Sequence, residues 1–149
     1  WPTQSALFSI DDSASLTVLN GTIKLYNYNN SNRSDQGVFN SRGGYLTLTN
    51  VDVQNARDGT AINAEDDATV TIEGGTISAA DGFAVTAVGN SWLILDKNVI
   101  LTTLTGSGLI TQPADYGYGS LHTNTPNLTI ISAVFEKIFK KYVLFDTID

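Results

Sequence analysis

Apolar side chains recur along this chain in a fixed set of steps. From Ile62 the next members lie eight residues on at Val70, two further at Ile72 and five further at Ile77. The same steps run through Phe8, Leu16, Val18 and Ile23, through Val38, Leu46, Leu48 and Val53, and through Val85, Leu93, Leu95 and Ile100. These blocks begin 30, 24 and 23 residues apart. A fifth block starts at Ile110 and resumes at Leu128, Ile130 and Phe135, with ten extra residues inserted within 112–127. Thr17, Thr47, Thr71, Ile94 and Thr129 stand between the second and third apolar positions and are expected to face outward. Alternation with a period of two predicts short, half-buried strands, and the Asn and Gly residues after them predict corners.

A repeat of this length, made of three short strand pieces, has one simple physical solution. Each repeat makes one turn of a coil, and successive coils stack about 4.8 Å apart. No coil buries its apolar face alone, but the stack does. Each inward Leu, Ile or Val contributes roughly 1.5–3 kcal/mol when buried, most of it offset by the entropy of ordering the chain. The expected fold is therefore all-β, with about five coils spanning about 6–37, 38–60, 61–83, 84–108 and 109–135 in a single domain of residues 1–149. A leucine-rich repeat fits less well, because Gly74 and Lys97 stand where its asparagine recurs. A β-sandwich would not require alignment without gaps at 23–24 residues.

The segments LTVLNGTI (16–23), LTLTNVDV (46–53) and VTIEGGTI (70–77) resemble the coils of right-handed, single-stranded parallel β-helix proteins. That group includes pectate-lyase-like enzymes, bacterial surface adhesins, autotransporter passenger domains, and phage tailspikes, fibres and decoration proteins. NLTI (127–130), Val134-Phe135 and Lys141-Tyr142-Val143 also resemble the last coil of adhesin-like repeats from gut bacteria and their phages, although Ile138-Phe139-Lys140 stands where Asp-Pro-Ser is usual. The resemblance implies a structural or adhesive module, outside the cell or on a virion, that assembles with itself, as a homotrimer, or with other surface proteins. It also implies an alternative, a polysaccharide lyase or glycoside hydrolase with a carboxylate cleft on one wall. The Ca²⁺-binding and catalytic residues of pectate-lyase-like enzymes match no position here.

Composition narrows the partners. Only 15% of residues are charged and the formal net charge is -7, which argues against nucleic acid and anionic membranes. There is no cysteine, hence no disulfide or thiolate metal site. No apolar run reaches the length of a membrane span. The chain starts Trp1-Pro2 and has no methionine, which suggests a processed form or a piece of a longer protein. Phe135, Ile138, Phe139 and Tyr142 fall at helical spacing opposite Lys137, Lys140 and Lys141, so a short capping helix is expected over 133–142, running into a C-terminal cap of residues 136–149.

Candidate chemistry is sparse. Glu65-Asp66-Asp67 is the most conspicuous carboxylate cluster, but Asp12, Arg42 and Asp66 share one corner of successive coils and predict a charge ladder. Asp58-Gly59 and Asp81-Gly82 read as turns. No metal or cofactor is expected. The ligand-binding candidates lie in two polar insertions: Tyr26 and Tyr28 in one, Tyr116, Tyr118 and the single histidine, His122, in the other. Aromatic faces among amide and hydroxyl groups suit glycans or adaptable protein contacts.

Overall fold

A computed structural model describes residues 6–26, 37–81, 83–96 and 98–103, with further strand segments at 121–123, 127–130, 134–136 and 142–144. These residues are all-β, without a helix. Parallel pairing dominates. One sheet contains β1 (Ala6–Asp11), β3 (Gly37–Arg42), β5 (Ile62–Glu65), β8 (Val85–Ala87) and β11 (Leu121–Thr123), in that order. The second contains β2 (Ser15–Leu25), β4 (Tyr45–Asp58), β6 (Thr69–Glu73), β7 (Gly75–Asp81), β9 (Trp92–Leu95), β10 (Val99–Thr103), β12 (Asn127–Ile130) and β13 (Val134–Glu136). β2 and β4 are long and turn midway, where Asn20 and Asn50 both adopt φ 53°. The first half of β4 pairs with β6 and its second half with β7.

The second and third apolar columns align as the sequence predicts. Leu16 pairs with Leu46, Leu46 with Val70, Val70 with Leu93, and Leu93 with Leu128. Val18, Leu48, Ile72, Leu95 and Ile130 follow the same register. Leu46, Leu48, Val70, Ile72, Leu93 and Leu95 are buried in one continuous core. Leu16, Val18, Ile23 and Leu25 are only partly buried against that core. The expected threonine column also stands in register, through Thr17, Thr47, Thr71, Ile94 and Thr129.

The other two columns need correction by one residue. Phe39, not Val38, pairs with both Phe8 and Ile62. The cause is a short corner: two residues separate Arg42 from Tyr45, whereas three separate Glu65 from Thr69. Gly44 permits the tighter turn, since a Cβ there would lie 2.6 Å from Ile10 Cγ2. Val38 remains buried, and the amides of Val38 and Phe39 both donate to the Ala61 carbonyl. Phe8 stacks on Phe39 with ring centroids 5.2 Å apart. In the fourth column Leu101, not Ile100, pairs with Ile77 and Phe135. One extra residue in the preceding corner, closed by Val99 N–H donating to Asp96 O, moves Ile100 outward.

The C-terminal expectations change more. Leu121, not Ile110, pairs with Val85, so the insertion precedes β11, and Ile110 lies outside the described residues. The amphipathic helix is replaced at both of its ends by strand. Phe135 stays in the parallel ladder, and β14 (Tyr142–Leu144) returns antiparallel along β13. Phe135 belonged to two overlapping patterns, a column and a helical face, and pairing with Leu101 satisfies its backbone as part of the sheet.

Polar groups inside the sheets are nearly all bonded. Asn63 Nδ2 donates to Asn40 Oδ1 at 3.0 Å, Asn55 Nδ2 to Thr60 O at 3.2 Å, and Ser78 Oγ to Val53 O at 3.3 Å. Among the described residues Ser41 Oγ is the exception, buried without a partner. A buried hydroxyl left unbonded costs on the order of 1 kcal/mol or more. Ser41→Ala is therefore expected to leave the melting temperature unchanged or raise it by a few degrees in thermal denaturation followed by circular dichroism.

Candidate functional site

The acidic corner is built by backbone needs. After β1, Asp12 and Ser13 adopt φ 39° and 66°, and after β5, Asp66 and Asp67 adopt φ 50° and 58°. Asp tolerates this left-handed region better than most residues, because its short side chain bonds nearby backbone. The turns then lock to their neighbours: Asp12 N donates to Arg42 O at 3.0 Å and Gly43 N to Glu65 O at 3.2 Å. Much of the Glu65–Asp67 run is thus explained by geometry.

Charge is partly neutralised at the same corner. Arg42 Nε donates to Asp66 Oδ2 at 2.8 Å, with the two side chains 51% and 62% exposed. That hydrogen bond is the main reason the Arg42 guanidinium is held above its ordinary pKa, and the charges of Asp66, Glu65 and Asp11 add to it. Arg42 therefore stays charged until strongly alkaline pH. The expected ladder is half realised. Arg42 reaches Asp66, while its in-register neighbours are Asp11 and Glu65 rather than Asp12. The one-residue shortening at Gly43-Gly44 causes this shift.

Asp12, Ser13, Arg42, Tyr45, Asp66 and Asp67 border an open groove of about 790 Å³. Its walls offer carboxylates, one guanidinium, a hydroxyl and a phenol. A second hollow of about 260 Å³ lies between Lys24, Asp52, Gln54 and Thr76. Asp52 Oδ1 accepts a 2.8 Å bond from Thr76 N, so this carboxylate also serves a corner. Among the described residues no three His, Asp or Glu side chains are placed to hold a metal ion.

The outer face of β4, β6 and β9 was not read as a site from sequence. Ser15, Tyr45, Thr69, Trp92 and Asn127 form one register column. Tyr45 is 51% and Trp92 50% exposed, while Leu46 and Leu93 next to them are buried. The signal was present, since both aromatics stand one position before the second apolar column. Each of these aromatics is isolated within its own strand, and the two come into one column only through the pairing with Thr69.

The loop candidates fare unevenly. Tyr26 follows β2 directly and is 65% exposed. Tyr28, Tyr116 and Tyr118 lie outside the described residues. His122 is in strand β11, not in a loop, and its backbone pairs with Thr86. Gly59, at φ 131°, follows β4 where a turn was expected. No described helix is long and apolar enough to cross a membrane. No family model, curated protein or solved structure matches the chain.

Proposed function

We propose that this chain is a right-handed parallel β-helix of five coils that acts as a non-catalytic structural and adhesive module. It is of the type found in phage fibres, tailspikes and decoration proteins or on bacterial surfaces. One observation carries the non-catalytic part: the carboxylates that looked most like an active site are corner residues, and Asp66 is engaged by Arg42 at 2.8 Å. Glycoside hydrolysis needs two carboxyl groups facing one bond, one of them protonated. Here the most prominent acid is tied to a cation on an open wall. The regular, weakly charged sheets supply a rigid rod, and the polar insertions bearing Tyr26, Tyr28, Tyr116 and Tyr118, with His122 beyond the second, offer contacts to a protein or glycan. This reading places the protein outside the cell or on a virion, in self-assembled form, with a homotrimer as the expected state.

The test is turnover. Pectic and bacterial capsular polysaccharides incubated with the protein are expected to show neither new reducing ends nor the ultraviolet absorbance of an unsaturated lyase product. Cleavage that disappears in Asp66→Asn or Asp12→Asn would establish the hydrolase or lyase reading instead.

A further inference from the structure

We infer that the outer wall bearing Tyr45 and Trp92 is a platform for an extended, uncharged glycan lying along the stacking direction. This rests on the adhesive reading but moves the contact from the loops to the sheet. Tyr45, Thr69 and Trp92 are consecutive in one register column, which puts the two aromatic residues two rungs, or about 9.6 Å, apart. That interval matches the two-ring repeat of an extended polysaccharide. Both rings are half exposed, and the residue between them is a small, half-buried threonine. A sugar chain can therefore lay every second ring on an aromatic face while Thr69 leaves room for the ring between.

The chemistry around this row suits sugar hydroxyls. Thr47 and Thr71 occupy the adjacent outward column. The groove bordered by Asp12, Ser13, Arg42 and Asp66 opens beside Tyr45. Carboxylate and guanidinium groups bond hydroxyls more strongly than neutral groups do. Sign selects the glycan: Asp11, Asp12, Asp66 and Asp67 outnumber Arg42 here, and the whole chain carries -7. Uronic-acid and sulfated chains are repelled by that field. A protein partner fits less well, because the aromatics are separated by threonine and do not form one continuous apolar anchor. Since both rings stand on interior strands, little ordering entropy is lost on binding.

Isothermal titration of the intact chain with cello-hexaose, chito-hexaose and galacturonan hexasaccharide tests this. At least one neutral hexasaccharide is expected to bind and galacturonan is not. Tyr45→Ala and Trp92→Ala are each expected to weaken binding about tenfold or more, and Tyr45→Phe much less. Unchanged melting temperatures would show that these exposed substitutions leave the fold intact. Three binding results would each overturn the platform. They are no binding of either neutral probe, preference for galacturonan, or loss of binding in Tyr26→Ala with none in Tyr45→Ala and Trp92→Ala. The last would leave the adhesive reading standing with its site in the loops. Self-association in sedimentation that Tyr45→Ala and Trp92→Ala abolish, without glycan binding, would make this wall a protein interface and also overturn it.

Discussion

Val70→Asp is expected to abolish the cooperative urea transition of this chain near neutral pH. Val70 is fully buried and stands in register between Leu46 and Leu93. Its neighbours in the core are aliphatic, so an introduced carboxylate finds neither a hydrogen-bond donor nor a counter-charge. Burying an unpaired charge costs several kcal/mol, a large part of the roughly 5–15 kcal/mol by which domains are stable. Burial raises the carboxyl's folded-state pKa above its unfolded value of about 4. The folded form then binds more protons than the unfolded one across that interval. The damage is therefore smallest at acid pH and grows as pH rises. Thr71→Lys, one residue along, provides the contrast. Thr71 lies in the outward column, and its replacement costs at most about 1 kcal/mol in the same measurement. Equal transitions for the two variants would remove the inward and outward assignment of β6.

Gly75→Ala has a second large effect, from backbone rather than core. Gly75 adopts φ 93°, and a Cβ added there would lie 2.3 Å from Val51 O. The obstacle is the main chain of the neighbouring rung, not a side chain able to turn away. Val51 is fixed beside Gly21, and Gly75 itself pairs with Val99. Relief would break ladder hydrogen bonds on both sides. Strain of this type, added to the left-handed φ, is expected to cost about 3 kcal/mol or more. A drop of many degrees in melting temperature checks it, whereas a shift of one or two degrees would mean that the corner has room to open.

The two columns that run through the straight parts of strands were legible in the sequence, because a period of two leaves no freedom once one face is buried. Leu46, Val70 and Leu93, and Leu48, Ile72 and Leu95, needed no correction. The columns read across corners slipped by one. A corner absorbs a residue without changing the ladder, so the spacing from Leu46 back to Phe39 differs from that between Val70 and Ile62. Glycine pairs were visible as corners, but their length was not. At the C-terminus the helical spacing of Phe135 and Tyr142 misled, since two antiparallel strands carry the same apolar residues.

The site was less legible for a similar reason. Glu65-Asp66-Asp67 stood out as chemistry, yet positive φ explains Asp66 and Asp67. The Arg42–Asp66 pair was anticipated because both fall near the same corner, and a surface ion pair tolerates a one-residue error in register. Tyr45 and Trp92 were missed because one strand shows each only as an isolated aromatic. Their alignment exists only across rungs, after Thr69 is placed between them.

The proposed β-helix requires five rungs to stand in one parallel stack. The chain has no cysteine, so Thr17→Cys combined with Thr129→Cys carries two spin labels and no others. Thr17, Thr47, Thr71, Ile94 and Thr129 are successive members of one column, four rungs from end to end. Pulsed electron–electron double resonance is predicted to give a narrow distance distribution centred at about 19 Å, four times the strand spacing, apart from the few ångströms added by the labels. A broad distribution, or one centred far beyond that length, would contradict the stack.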